Sequence, residues 1–426
     1  MTTHQPIDVA IIGGGAAGLA AGIEAGRRGL GTLIIERNNE LGKKILQTGN
    51  GRCNISHADV KSSDYSRYNN ANHREEFVKE LFENVSQSEI TRFFENIGIF
   101  MIPEIGKTGQ DVYLYPESFT ALSVRNALVN ASLEAGCAHA AGTFVKNITK
   151  KNDLFTIDCE CNGEKIVYKA KNVILACGGK AAPKSGTDGN LYDICRKFNH
   201  SVTKLYPSLV GLNSDDEHID LLGGCRSYST ITLMCKDKEM AKETGEVQFN
   251  KNGLSGIPVF QLSAYGADIL SKNRPGDVKI ITDFLPHHSK EELYGMVDRW
   301  SESFGNRKLK DFFGGILNGK VVAFIARKLS MAADKSVARV DKSRLYNFVD
   351  YAKECEFNIT GSAGFDIAQV TSGGVNLSEI NPETCESKIV ENLYFAGEIM
   401  DVDGPCGGYN LHFAWSSGIA AGKSVH

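Results

Sequence analysis

The sequence is poor in the features that mark several protein classes. It has only 10 prolines and 2 tryptophans in 426 residues, too little proline for a collagen-like or proline-rich disordered chain. No stretch approaches the ~18 consecutive apolar residues of a membrane span, and MTTHQPID enters an apolar segment without the basic and apolar regions of a signal peptide. There is no surplus of basic charge, since 47 Lys and Arg face 51 Asp and Glu. The net charge of −4 therefore offers no electrostatic footprint for nucleic acid or an anionic membrane. The 11 cysteines form no disulfide-type framework and read as reduced thiols of a cytoplasmic protein. No HExxH or comparable metal-ligand spacing occurs, and His287-His288 after Pro286 reads as a loop. What is present in excess is glycine: 44 residues, about 10% against a usual ~7%.

The first glycines fall in a pattern with a mechanism. Ile7 to Ile12 is a short apolar run suited to a buried parallel strand. Gly13-Gly14-Gly15-Ala16-Ala17-Gly18 follows, then an alanine-rich helical stretch from Leu19 to Arg28 and a second apolar strand, Thr32 to Ile35, ending at Glu36. The Gly13-x-Gly15-x-x-Gly18 spacing gives a tight turn, close backbone approach to a pyrophosphate, and a helix N-terminus aimed at the phosphate. Glu36 stands at the distance where a carboxylate accepts the ribose hydroxyls and repels a 2′-phosphate, so the site favours the ADP part of FAD or NAD. Arg37, beside it, reads as a solvated charge.

Later segments select between the two dinucleotides. Leu41 to Asn54 (LGKKILQTGNGRCN) is a glycine-rich loop in which Arg52 can meet a pyrophosphate and Asn54 can make a polar contact. Leu154 onward reads as a hairpin turning at Asn162-Gly163. Asn172 to Ala176 then reads as a strand ending at Cys177-Gly178-Gly179, and Thr187 or Asp188 as the cap of a helix from Leu191. Near the other end, Glu391 to Ala396 is a strand leading to Gly397-Glu398, and a helix starts near Tyr409-Asn410 behind Gly407-Gly408. Such an acid can bond ribitol hydroxyls, and such a helix N-terminus can face the flavin edge where charge accumulates on reduction. The candidate cofactor set is Gly13, Gly15, Ala16, Ala17, Gly18, Glu36, Arg37, Lys44, Gly51, Arg52, Cys53, Asn54, Gly178, Gly179, Gly397, Glu398, Asp403, Gly407, Gly408, Tyr409, Asn410 and Leu411. Tyr409, Asn410, His412 and Cys406 flank the same edge as catalytic candidates, and nothing in the sequence selects one. A redox cysteine pair is excluded between Leu41 and Cys53, where Cys53 stands alone. Cys159-x-Cys161 reads as packing in the hairpin.

GGGAAGLAAG, LGKKILQTGNGRCN, GEVQFNKNGLSGIPVFQLS, AQVTSGGV and YFAGEIMDVDGPCGGYNLHFAWSSG, in this order, resemble the BaiN/YhiN-type flavoproteins, aminoacetone-oxidase-like and NAD(P)/FAD-dependent oxidoreductases. The resemblance spans essentially the whole chain. It implies an α/β fold: a two-ended Rossmann-like FAD-binding domain (1–190 and 358–426) with an inserted β-barrel-like plus helical region (191–357). Within the insert, Ser229 to Met234 and Val278 to Phe284 read as strands, and Lys290 to Ser301 and Leu309 to Ala332 as helices. The chain departs from the family's usual LFTHxGLSGP at Asn250-Lys251, with the proline displaced to Pro258. A small-molecule substrate is expected at the cleft between insert and nucleotide domain. No second GxGxxG occurs, so NAD(P)H, if used, binds transiently. The expected activity is hydride transfer between FAD and a small organic substrate, as reduction of an enone. The alternatives are oxidation of a small amine with peroxide release, or a non-enzymatic electron-transfer or nucleotide-sensing flavoprotein. A flavin-dependent RNA-modifying enzyme is disfavoured by the charge.

The glycine surplus has a location. Residues 1–51 hold 11 glycines and residues 361–426 hold 10, nearly half the total at the two ends.

Overall fold

A computed structural model describes residues 6–66, 71–106, 112–274 and 276–426. The chain forms two compact units, 1–206 with 370–426, and 207–369. The division lies beyond position 190 because the helix Leu191–Lys197 buries Leu191, Tyr192, Ile194 and Cys195 in the core of the first unit.

The first unit is built on a sheet whose middle strand is Ile7–Ile12, apolar and buried from Val9 onward because parallel neighbours flank it. On one side lies Thr32–Ile35, with Val9 opposite Thr32 and Ile12 opposite Ile35, and beyond it Ala138–Ala140. On the other side Ile7 faces Ala170 and Ile12 faces Leu175. Leu393–Phe395 continues the sheet in parallel beside Val173–Leu175, so a strand from far along the chain sits two places from the first. It is shorter than the expected 391–396 because Asn392 takes φ 62°, outside the strand region.

The hairpin and the strand after it are one element. Glu164–Leu175 runs for 12 residues, its first part antiparallel to Leu154–Cys161 and its last part parallel to Ile7–Ile12. Asn162 and Gly163, at φ 51° and 82°, supply the paired left-handed conformations of a tight hairpin turn. A three-stranded antiparallel sheet of Ser56–His57, Val112–Pro116 and Met101–Ile105 completes the β-structure bearing on the site.

The first helix spans Ala16–Arg27, starting earlier than the alanine pattern implied because Ala16, Ala17 and Gly18 are themselves helical. The terminal helix, Tyr409–Ser424, lies directly on it. A Cβ on Gly418 would sit 2.4 Å from the Ala17 carbonyl oxygen, and one on Gly422 2.4 Å from that of Ala21. Glycine is needed there for backbone-to-backbone approach. Arg28 donates to the carbonyls of Gly422, Lys423 and Val425 at 3.2, 2.7 and 2.6 Å, satisfying the end of the terminal helix.

The second unit is a closed six-stranded barrel in the order Leu212–Ser214, Gly253–Ser255, Lys238–Asn250, Arg226–Cys235, Val278–Asp283, Cys355–Ser362. Its helices include Lys290–Phe304, whose start carries a Ser289–Glu292 capping box. The expected continuous helix from Leu309 to Ala332 is broken into Leu309–Phe313 and Gly319–Lys328. Gly314-Gly315 ends the first piece, and Asn318 restarts the second by accepting from the Lys320 N–H. Among the described residues no helix is long and apolar enough to cross a membrane.

Candidate functional site

The glycine turn after the first strand separates two kinds of requirement. Gly13 has φ 107°, and a Cβ there would lie 2.5 Å from the Ala176 carbonyl oxygen. A Cβ on Gly18 would lie 1.9 Å from the Gly13 oxygen. Both glycines are demanded by the protein's own packing. At Gly15 a Cβ would meet nothing within 4 Å, and no side chain caps the helix that starts behind it. The free N–H groups and partial positive charge of that helix start therefore face open space, the arrangement that receives a phosphate.

Glu36 is buried beside this turn. One carboxylate oxygen accepts from the Gly14 N–H at 2.8 Å, and the other accepts from the Asn38 N–H and side-chain amide at 2.8 and 2.7 Å. Three donors against roughly four lone-pair sites leave the carboxylate able to accept another, such as a ribose hydroxyl.

The far end of the chain brings a second set to the same unit. Gly397 takes φ 75° with its missing Cβ 3.0 Å from that of Ala17, so this turn touches the first helix. Glu398 binds Lys44 Nζ at 2.7 Å and accepts from the Thr371 N–H at 2.8 Å. Gly179 fits against that pair, since its Cβ would come within 2.4 Å of Thr371 Oγ1 and 2.9 Å of Glu398 Oε1. Gly178, at φ 73°, packs on Thr187, whose hydroxyl donates to the Gly179 carbonyl. Thr187 therefore fixes the glycine turn and does not cap the following helix. Thr371, a fully buried threonine of the AQVTSGGV block, is not among the sequence candidates, because its partners at Lys180, Ala181 and Glu398 are remote in the chain.

Gly407 and Gly408, at φ 120° and 98°, lead into the terminal helix, which no side chain caps. A Cβ on Gly408 would stand 2.6 Å from the Ser56 carbonyl oxygen and 2.9 Å from Asn54 Oδ1. Asn54 is 8% exposed, and its Oδ1 is buried without a hydrogen-bond partner. Asn410 clamps the loop ahead of the helix, accepting from the Gly404 N–H at 2.9 Å and donating to the Gly404 and Pro405 carbonyls at 2.9 and 3.2 Å. The Tyr409 ring stacks on His57, centroids 5.0 Å apart, and its carbonyl accepts from the Tyr65 hydroxyl at 2.8 Å. Cys406 and Leu411 are half-buried.

Four sequence candidates have their surroundings within the protein defined by the structure. His412 is buried, with Nδ1 2.8 Å from Ser56 Oγ and its ring against Phe82, and burial pushes its pKa down to about 3. It is a neutral core residue, because the turn of the helix that exposes Leu411 points position 412 inward. Arg52 is held by Glu104 at 3.0 Å and lies over the Tyr115 ring at 4.5 Å, so its guanidinium is occupied on the three-stranded sheet. Arg37 pairs with Asp188 at 2.9 Å and covers Phe144. Burial pushes the Cys53 thiol up to about 12, leaving it un-ionised.

Arg74, in the helix Ala71–Asn84, is not among the sequence candidates. It is 5% exposed and lies between Asp401 and Asp403, donating to Asp403 at 2.9 Å and more closely to Asp401. Burial lowers its affinity for the proton, and the two carboxylates more than restore it. Its partners lie more than 300 residues away in sequence.

The profile of the HI0933-like protein Rossmann domain matches residues 7–424, both glycine-rich ends included. The chain belongs to the HI0933-like family. This makes it an oxidoreductase. Its relatives in the HI0933-like group carry two different names. One is the 3-dehydro-bile acid delta(4,6)-reductase of Clostridium scindens, 31% identical over 421 residues that cover 98% of each chain. Another is the ribosomal RNA dihydrouridine synthase of Haemophilus influenzae, 28% identical over 97% of each chain. Among solved structures, the 3-ketosteroid delta1-dehydrogenase of Sterolibacterium denitrificans shares the fold, with a TM-score of 0.52, 13% identity and 98% of both chains covered.

Proposed function

We propose that this protein saturates a carbon–carbon double bond conjugated to a carbonyl group, using tightly held FAD and electrons from NAD(P)H. The observation that carries the reading is the two-ended cradle: an open, uncapped helix start at Gly15–Gly18 beside Glu36, and a second at Gly408–Leu411 beside an unpartnered buried amide oxygen on Asn54. Gly13 to Gly18 and Glu36 would hold the ADP portion, and Lys44, Glu398, Asn54 and Gly407 to Leu411 the remainder. When bound, FAD supplies a hydride acceptor and donor.

The chain's own residues prepare that exchange. The uncapped start of the terminal helix presents N–H groups where negative charge on a ligand is favoured. Asn410 and the Tyr65–Tyr409 contact keep that helix start in place. Saturation of a conjugated bond needs a hydride at the β-carbon and a proton at the α-carbon. His412, neutral and sealed in the core, does not supply that proton.

The names of the relatives support the substrate class. A delta(4,6)-reductase of a 3-dehydro acid and a dihydrouridine synthase both describe saturation of a double bond conjugated to a carbonyl. The net charge of −4 favours a small molecule, and the Haemophilus name favours uridine in RNA as the second reading. One anaerobic experiment tests all of this. The FAD-loaded protein is mixed with NADH or NADPH, then with a 3-oxo-Δ4 steroid acid or a uridine-containing oligoribonucleotide. Bleaching by a nicotinamide and recovery of flavin colour with the steroid acid is the expected result. Recovery only with RNA selects the second reading. A protein that stays colourless after incubation with FAD overturns both.

A further inference from the structure

The cluster of Arg74, Asp401 and Asp403 is poorly explained as a device for stability. All three side chains are nearly sealed from solvent, at 5%, 6% and 1% exposure. Burying three charges carries a heavy desolvation penalty that well-packed apolar side chains would avoid. Arg74 Nε is also buried with no hydrogen-bond partner. An arrangement this costly is better explained by what it holds in place.

What it holds is the approach to the terminal helix. Asp401 and Asp403 bracket Val402 immediately before Gly404, and the positive-φ turn at Gly407 and Gly408 follows. Three further contacts converge on that segment. Asn410 bonds Gly404 on both its backbone groups, the Tyr65 hydroxyl reaches the Tyr409 carbonyl, and the Asp401 N–H reaches the Val375 carbonyl at 3.0 Å. Glycine takes up many backbone conformations with nearly equal ease, so this turn is selected by what surrounds it and not by the two residues themselves. Arg74 adds an ion pair to that set, and it comes from the helix Ala71–Asn84, a separate element.

We infer that Arg74, acting through Asp401 and Asp403, is a positioning residue that fixes the Gly404–Gly408 loop and the start of the terminal helix in the geometry that receives the flavin end of FAD. The inference rests on the FAD reading above. Its partners make Arg74 specific: a guanidinium spans two carboxylates with separate nitrogens, and an ammonium presents one point charge.

The test uses FAD binding and the flavin absorption spectrum. The protein is compared with Arg74→Lys and with the charge-silenced Arg74→Met/Asp401→Asn/Asp403→Asn, in which the three charges of the cluster are removed together. The expected result is a silenced variant with a normal circular dichroism spectrum, at least tenfold weaker FAD binding and a flavin band altered in position or fine structure. Arg74→Lys should fall between it and the parent. A silenced variant with parental FAD affinity and spectrum overturns the positioning role. If it does not fold, Arg74→Lys decides alone: parental affinity and flavin band overturn the role, and a loss in both supports it. Failure of the parent to bind FAD overturns the FAD reading together with this one, whereas parental binding unchanged in the variants overturns only the role of Arg74.

Discussion

Replacing Gly15 by alanine separates what the protein needs from what a cofactor needs. Gly15 has φ −82° and ψ −162°, a conformation open to any L-residue, and its added Cβ would meet nothing within 4 Å. Alanine restricts the unfolded chain, worth about 0.4–1 kcal/mol of added stability where the native backbone tolerates it. It is also a worse helix N-cap than glycine, by roughly the same amount in the other direction. The two nearly cancel, so without FAD the Gly15→Ala variant should melt within about 4 °C of the parent. The new methyl occupies the space in front of the first helix, where a pyrophosphate must approach the backbone closely. FAD affinity should therefore fall at least about 100-fold, or ~2.7 kcal/mol. Gly18→Ala is the contrasting case, because a Cβ 1.9 Å from the Gly13 oxygen forces the turn apart with or without ligand. Thermal melts with and without FAD, and flavin absorbance retained after desalting, report both effects. A Gly15→Ala protein that melts normally and retains FAD at parental affinity would refute the placement of the phosphate.

Other outcomes follow from the same geometry. Gly418→Ala places a Cβ 2.4 Å from the Ala17 oxygen and should destabilise by about 1–3 kcal/mol, read by urea unfolding; an unchanged midpoint would argue against helix contact at that point. His412 has its pKa depressed in the fold, to about 3, so the unfolded chain takes up the proton first. Its contribution is complete above pH ~6.5 and is lost as the pH falls toward 3, on the order of 1–2 kcal/mol between pH 7 and 5. His412→Gln should flatten that part of the pH–stability curve, and parallel curves would count against a buried neutral imidazole. Cys53, Cys195 and Cys385, each pushed up to about 12 by burial, should resist iodoacetamide at pH 8 in the native state and react after unfolding, as mass spectrometry can show.

The parts of this protein visible in its sequence are those governed by backbone geometry. The Ile7–Ile12 strand, the glycine turn and Glu36 form a local unit whose spacing alone carries the physical requirement. The same holds for Gly407-Gly408 ahead of the terminal helix. Side chains whose partners are remote were misread or missed. Arg52 looks like a phosphate cation until Glu104 and Tyr115 appear beside it, 52 and 63 residues away. His412 looks like a proton donor because a helix position shows its orientation only once the Ser56 strand is packed against it. Arg74 has no local signature, and the AQVTSGGV block that holds Thr371 does not show its role, since each is defined by groups brought from far along the chain. The separate hairpin and strand expected around Glu164 to Ala176 merged because one long strand can serve antiparallel neighbours at one end and parallel neighbours at the other.

The contact between the first and terminal helices also has a consequence in time. Gly18 and Gly408 are 390 residues apart, so at the usual ~5–20 residues per second of synthesis the first half of the nucleotide cradle waits roughly 20–80 s for the second. During that interval the alanine- and glycine-rich face of the first helix has no partner, and the barrel unit, whose strands are contiguous in the chain, can close before it. Loading of the cofactor then belongs to the last act of folding. A ribosome that stalls beyond residue 369 but before the final helix releases a chain with a finished barrel and a first helix whose apolar face is uncovered, a species marked for chaperones or proteases by its own surface.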